Sequence, residues 1–181
     1  MHVGIADHFG WAVAVTASAD HQVVDRRRIE LVEPGVCEAP VHYDGARLGV
    51  GGTAALIEEV RASIRRAAGA ALDALAAAIG APVTSISLRT WPPDFPTDVA
   101  VHLQSPWEAR ADAVMYRQEL SDLAVSRGWA VHLYDAKRVV SEADAVLGGR
   151  AEELLQAPRA ELGPPWTKDH RTALAATIVV S

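Results

Sequence analysis

The sequence predicts an α/β protein with a mixed five-stranded sheet, in which three antiparallel strands are followed by βα units and helices flank the sheet. The N-terminal part alternates apolar and polar residues with the period of two that is typical of strands. The rest of the chain alternates such segments with stretches whose apolar residues recur every three or four positions, as in helices. Strands joined by short turns favour antiparallel pairing, whereas strands joined through helices favour parallel pairing.

Length and composition narrow the class of protein. The 181 residues suffice for one domain with a substantial core, so we expect residues 1–181 to form a single domain. The net charge of −6 argues against a protein that coats nucleic acid through bulk electrostatics. No stretch resembles a membrane span, the N-terminal segment lacks the features of a secretory signal, and the lone Cys37 cannot form an internal disulfide. We therefore expect a cytoplasmic protein with no membrane partner.

The first half of the chain divides into strands, a connection and a long helix. The segment from Glu33 to Gly52 contains two prolines and five glycines, which predicts a long surface connection. Thr53 is the expected N-cap of the following helix, and Gly80 is its expected stop. The strands and the helix are predicted at Val3–Ile5, Trp11–Thr16, Gln22–Leu31 and Thr53–Ile79.

The second half continues with strands and helices in alternation. The segment Thr90–Pro96 contains three prolines and is therefore predicted to be a loop. The sequence Gly163-Pro164-Pro165 is expected to separate the last two helices. The strands are predicted at Val83–Leu88 and Trp129–Leu133, and the helices at Trp107–Ser126, Ala136–Leu147, Ala151–Leu155 and Lys168–Val180.

Three aspartates lie next to apolar segments and are the candidate catalytic residues. Asp7 follows the first strand, Asp135 follows the last strand, and Asp169 begins the final helix. A simpler interpretation assigns Asp7 to a turn, Asp135 to a helix cap and Asp169 to a first helical turn, where negative charge is favourable. The sequence alone leaves both interpretations open.

Three short motifs suggest a relationship to a known family. They are Gly4-Ile5-Ala6-Asp7 before a second strand, Val131–Asp135 before the helix containing Ser141–Leu147, and Lys168–Ala176 near the C-terminus. Together with the order of strands and helices, these motifs resemble the ribonuclease-H-like fold, and more narrowly its Holliday-junction-resolvase-like branch.

The resemblance implies a specific chemistry for the three aspartates. Asp7, Asp135 and Asp169 would converge at the strand ends and hold one or two Mg²⁺ or Mn²⁺ ions that activate water for phosphodiester cleavage. The chain departs from the junction-cleaving relatives at Arg89, where an acidic residue is expected at the end of a strand. Loss of one carboxylate leaves a divalent cation with too few oxygen ligands.

Because of this departure, we expect a non-catalytic ribonuclease-H-like protein used for binding or assembly. The alternative is a metal-dependent nuclease that acts on structured or single-stranded nucleic acid. No cofactor is expected in the first case, and Mg²⁺ or Mn²⁺ is expected in the second. Nucleic acid and a second copy of the chain are the candidate partners.

Other polar residues have weaker functional interpretations. His8 and His170 each follow one of the aspartates and could carry protons or bind a metal, although a structural role is the default. Two groups of basic residues are interpreted as solvated surface. The first group is Arg26, Arg27 and Arg28, and the second is Arg61, Arg65 and Arg66.

Overall fold

The fold is a five-stranded mixed sheet with helices on both faces. It is seen in a computed structural model that describes residues 1–180. The strands are arranged in the spatial order β3-β2-β1-β4-β5. Their bounds are His2–Asp7 for β1, Trp11–Ala17 for β2, Val23–Glu30 for β3, Ser85–Arg89 for β4 and Ala130–Tyr134 for β5.

Strand direction places three strand ends at one edge of the sheet. Strand β2 pairs antiparallel with both β1 and β3, whereas β4 pairs in parallel with both β1 and β5. The C-terminal ends of β1, β4 and β5 therefore share one edge. The predicted α/β class and its mixed five-stranded sheet are confirmed.

Six α-helices cover the sheet in the part of the chain that the structure describes. They are α1 (Gly45–Ile79), α2 (Val99–His102), α3 (Glu108–Ser126), α4 (Val139–Val146), α5 (Ala151–Leu162) and α6 (Lys168–Ile178). A π-helical turn, Pro40–Asp44, leads into α1. No helix within residues 1–180 has the length and apolar character needed to cross a membrane.

The predicted surface connection at Glu33–Gly52 is wrong from Pro40 onward, because helical structure begins there. The buried Asp112 accepts hydrogen bonds from the backbone N–H groups of Val41 and His42, at 3.0 and 2.9 Å, and so fixes the start of this segment. Tertiary contacts thus offset the low helix propensity of glycine.

Thr53 lies inside α1 and is not its N-cap. A kink at Gly49, with φ 66° and ψ −178°, joins the two parts of the helix. The Thr53 hydroxyl donates to the Gly49 carbonyl oxygen at 2.7 Å and so bridges the kink. At the other end, Gly80 terminates the helix with φ 67°, as the sequence predicts.

Two apolar cores lie on opposite faces of the sheet. Val3 and Ile5 point toward α1 and α3, whereas Ala6 lies in the core formed with α4, α5 and α6. This division follows from the alternation of side chains along a strand. Gly4 faces Ala173 of α6 so closely that the helix backbone lies directly against β1.

Some of the arginines in the two basic groups make tertiary contacts that stabilise the fold. Arg61 and Arg65 form ion pairs with the buried carboxylate of Glu119, at 2.7 and 3.4 Å. Arg26 donates to carbonyl oxygens of the segment Leu162–Pro165 and so ties β3 to the loop before α6. The surface interpretation is therefore wrong for Arg26 and Arg61, whereas the Arg65 side chain is half exposed.

Candidate functional site

The candidate site lies at the edge where β1, β4 and β5 end. Asp7 is the last residue of β1, Arg89 is the last residue of β4, and Tyr134 is the last residue of β5. Helix α3 passes over this edge and supplies Arg117. The site therefore combines residues from three strands and one helix that are distant in sequence.

Asp7 is held between two guanidinium groups. Its side chain is only 3 % exposed. Arg117 donates from Nε to Asp7 Oδ2 at 2.9 Å, and the Nε atom of Arg89 lies 3.7 Å from Asp7 Oδ1. A buried carboxylate requires such compensation, because the low local dielectric makes an uncompensated charge costly.

Arg89 experiences the field of two aspartates. Burial opposes its charge, but attraction to Asp7, Tyr134 and Asp169 outweighs burial, so the pKa of Arg89 is raised. Burial also raises the pKa of Tyr134 to about 12, and its hydroxyl donates to the carbonyl oxygen of Ile5 at 2.6 Å. The Arg89 guanidinium is thus a permanent positive charge beside Asp7.

Asp169, in the first turn of α6, is oriented by an aromatic stack. His8 donates from Nε2 to Asp169 Oδ2 at 3.1 Å. The His8 ring stacks on Trp11 with a centroid distance of 4.1 Å and an interplanar angle of 10°, and the guanidinium of Arg28 lies over the Trp11 ring at 4.0 Å. His8 therefore belongs to the site, where it links Asp169 to the surface of β2.

Asp135 makes local contacts in the turn after β5. Its Oδ1 atom accepts a hydrogen bond from the backbone N–H of Lys137 at 2.8 Å. Its carbonyl oxygen accepts from the backbone N–H groups of Arg138 and Val139, which lead into α4. The side-chain bond is typical of an Asx turn, and the N-cap of α4 is Arg138, so the simpler interpretation of Asp135 as a helix cap is wrong.

The acidic residues as placed do not fit a divalent metal centre. Within residues 1–180, no three His, Cys, Asp or Glu side chains form a group that could hold a metal ion. The fold brings Asp7 and Asp169 to the same edge, but arginines occupy the surroundings of Asp7 and His8 contacts Asp169. Hard divalent cations require several oxygen ligands, and this arrangement does not present them.

Arg117 is the functional residue that sequence reasoning missed. It lies in the middle of α3, where a polar residue in the sequence normally indicates a solvent-exposed side chain. Its side chain is 15 % exposed and also donates to the Thr90 carbonyl oxygen at 3.3 Å. No local pattern marks such a residue, because its partner Asp7 lies 110 positions earlier.

His170 has a structural role at the start of α6. Its Nδ1 atom accepts a hydrogen bond from the backbone N–H of Thr167 at 3.2 Å, which completes a capping box. Burial lowers the pKa of His170, with a further contribution from Arg26. The folded protein therefore favours the neutral ring.

We expect His170→Gln to make stability less dependent on pH. Below about pH 6.5 the ring protonates first in the unfolded state, so the wild type loses stability as the pH falls toward the lowered folded pKa. Glutamine keeps the acceptor of the capping box and removes the titration. Urea unfolding at pH 7.5 and 5.5 gives the change in the free energy of unfolding between these two pH values. This change should be smaller for the variant than for the wild type, by less than about 1.4 kcal/mol for each pH unit. Equal pH dependence in both proteins would contradict this role, since the other histidines are shared.

Two adjoining clefts open beside these residues. The strand-end cleft, of about 220 Å³, is lined by Asp7, His8, Phe9, Arg89, Ala113 and Arg117. A second cleft of about 300 Å³ shares Ala113 and Arg117 with it and also contains Trp91 and Arg110. Both lie at the C-terminal ends of parallel strands, the usual position of ligand sites in open α/β sheets.

Comparisons with known proteins give no family assignment. No protein-family profile matches the chain, and a search among curated proteins finds no match.

Proposed function

We propose that this chain is a ribonuclease-H-like protein without metal-dependent catalysis, which acts by binding or assembly. The observation that carries the proposal is the pairing of Asp7 with Arg117 and Arg89. In a metal-dependent nuclease, the carboxylate at the end of the first strand would be available to a cation. Here its charge is already compensated, and the two guanidinium groups repel a divalent ion.

The order of elements supports the ribonuclease-H-like part of the proposal. Three antiparallel strands are followed by two further strands, each preceded by a helix, and helices close the chain. The motifs behind the resemblance lie at the ends of β1 and β5 and at the start of α6. Two of these motifs contain Asp7 and Asp169, which lie at the same edge of the sheet. Arg89 stands at the end of β4, where the resemblance leads us to expect an acidic residue.

A metal-dependent nuclease is the second candidate. Asp7 and Asp169 both raise the pKa of Arg89, so a cation in its place would be attracted by two carboxylates. Binding of Mg²⁺ or Mn²⁺ would then require the guanidinium to move away. Nucleic acid would be the partner under this alternative.

Titration with Mn²⁺ separates the two candidates. We expect the melting temperature of the wild type to stay unchanged as Mn²⁺ is added, because no group of ligands is available to it. Branched and single-stranded DNA and RNA should remain intact in the same samples. A saturable rise in melting temperature together with cleavage that is lost in Asp7→Asn would overturn the proposal in favour of the nuclease.

The Arg89→Glu substitution should create the cation affinity that the wild type lacks. It removes a positive charge and places another carboxylate beside Asp7, at the edge of the sheet that also carries Asp169. The variant is expected to be less stable without metal, and Mn²⁺ at about 100 times its Kd should restore about 2.7 kcal/mol. Differential scanning calorimetry with and without Mn²⁺ measures this gain. Arg110→Glu makes the same charge change in the second cleft and should show no Mn²⁺ response, so an equal response in both variants would argue against a site at Arg89.

A further inference from the structure

The β5 side of the sheet is an open edge. Within residues 1–180, β5 has β4 as its only neighbour in the sheet, and α3 packs on one of its faces. The N–H of Ala130 and the C=O of Tyr134 bond to residues that flank β4, both at 2.9 Å. Because the backbone groups of successive residues point to alternate sides of a strand, those of Val131 and Leu133 point away from β4. In the part of the chain that the structure describes, no backbone hydrogen bond from outside the sheet reaches these two residues.

The opposite edge of the sheet has features that prevent pairing with another strand, and β5 lacks them. Strand β3 contains five charged residues among its eight, and its pairing with β2 shifts register between Thr16 and Ala17. Strand β5, with the sequence Ala-Val-His-Leu-Tyr, contains no lysine, arginine, aspartate, glutamate or proline. An edge without charge, proline or bulge is a template on which a further strand can pair.

The outward-pointing residues of β5 also carry apolar side chains. The Leu133 side chain is 49 % exposed, and Val131 is half-buried against the core that lies toward α1 and α3. The two side chains share one face of the sheet, since they are two positions apart. A further strand with aliphatic residues on this face would remove Leu133 from water and so stabilise the contact.

The pattern of β5 fits a second copy of the same strand. Val131 and Leu133 lie on either side of His132, so a twofold axis at His132 sets each Val131 opposite Leu133 of the second copy. In antiparallel pairing, each such opposite pair exchanges two hydrogen bonds, so the outward groups of both residues are satisfied in both copies. Parallel pairing of two copies would not close around a twofold axis, whereas closed twofold dimers are the commonest oligomers. No charged side chain within β5 opposes the contact.

We propose that β5 pairs antiparallel with β5 of a second copy and joins the two sheets into one continuous sheet. This inference rests on the assembly role in the proposed function and names its partner as a second copy of the chain. Only two residues of each copy contribute outward hydrogen bonds, so the dimer is weak and reversible, with a dissociation constant on the order of micromolar.

Sedimentation equilibrium of the intact protein in EDTA at pH 7.5 measures the association. We expect the average mass to rise from the monomer value toward twice that value as the protein concentration increases from low micromolar to submillimolar. A protein that stays monomeric over this range would overturn the proposal. Growth beyond the dimer would also overturn it, because twofold pairing leaves no free β5 edge.

Two substitutions of Leu133 separate backbone pairing from side-chain contact. Leu133→Pro removes an N–H group that points away from β4, so the bonds between β4 and β5 are kept while the pairing with a second copy loses a donor. Leu133→Thr removes the same leucine side chain and keeps the N–H group. The Leu133→Pro dimer should therefore be at least about tenfold weaker than the Leu133→Thr dimer. Equal dissociation constants for the two variants would contradict backbone pairing at this edge.

Charges introduced at the twofold axis identify the partner as a second copy. His132 would face His132 of that copy at a position where opposite side chains lie closest. His132→Lys and His132→Glu each place like charges opposite one another, so each variant alone should dimerise about threefold or more weakly than the wild type. An equimolar mixture should form mixed dimers that are tighter than the dimer of either variant alone. A mixture that associates no better than its components would overturn the pairing at His132, and this result holds even if Leu133→Pro does not fold.

The response to Mn²⁺ distinguishes failure of this inference from failure of the proposed function. A protein that stays monomeric while its melting temperature ignores Mn²⁺ would overturn this inference alone. Cleavage of nucleic acid by a dimer in the presence of Mn²⁺ would overturn the non-catalytic part of the proposed function and leave the β5 pairing in place.

Discussion

Replacing Gly4 by alanine is expected to lower the free energy of unfolding by about 3 kcal/mol or more. A Cβ atom on Gly4 would lie 1.9 Å from the carbonyl oxygen of Ala173 and 2.7 Å from its carbonyl carbon. Both neighbours are backbone atoms, so no side-chain rotation can relieve the clash. Helix α6 must move away from β1, which opens the core on that face of the sheet. Urea unfolding monitored by tryptophan fluorescence measures the loss.

The matched control for this substitution is Gly51→Ala. A Cβ atom on Gly51 would have no neighbour within 4 Å, and the residue lies in α1. Alanine should therefore leave stability unchanged or raise it by up to about 1 kcal/mol through helix propensity. If Gly4→Ala were as stable as the wild type, the close contact between α6 and β1 would be wrong. Asp169 would then have a different position relative to Asp7.

Replacing Arg61 by methionine is expected to cost about 3 kcal/mol. Glu119 lies in α3 with a side chain that is 3 % exposed, and Arg61 of α1 is its closest partner at 2.7 Å. Arg65, at 3.4 Å, is half exposed and compensates the carboxylate less well. Loss of Arg61 therefore leaves a buried charge with only a weak partner between the two helices that cover one face of the sheet.

A double-mutant cycle checks the cause of this loss. Arg61→Met combined with Glu119→Met removes both charges, and the double variant should be more stable than Arg61→Met alone. Arg66→Met removes a partner of Glu33 at the exposed surface and should have little effect. Additive losses in the cycle would show that packing of the Arg61 side chain, and not its charge, stabilises the α1–α3 contact.

The sheet could be predicted from sequence because its strands are short apolar segments bounded by turn residues, and β1 and β2 are buried on both faces. Ile5, Val13 and Val15 alternate with residues on the opposite face, and short turns leave few ways to pair the first three strands. The start of α1 could not be predicted in this way. Its first residues are rich in glycine, and contacts from distant residues such as Asp112 stabilise its helical entry.

The candidate site could be predicted only in part, because it too depends on contacts between residues that are distant in sequence. Asp7 and Asp169 follow recognisable strand and helix boundaries, so the sequence indicates that they approach one edge. The partners that decide their chemistry come from elsewhere in the chain. Arg117 reaches Asp7 from the middle of α3, and His8 reaches Asp169 across 161 positions. Such pairings depend on tertiary packing and leave no local signal.

Anomalous diffraction from crystals grown with MnCl₂, recorded near the manganese absorption edge, shows whether a cation binds at the strand-end site. We expect no anomalous peak between Asp7 and Asp169, with the guanidinium of Arg89 beside Asp7 in the electron density. An anomalous peak bridging the two carboxylates, with Arg89 turned away, would instead assign the site to a metal-dependent enzyme.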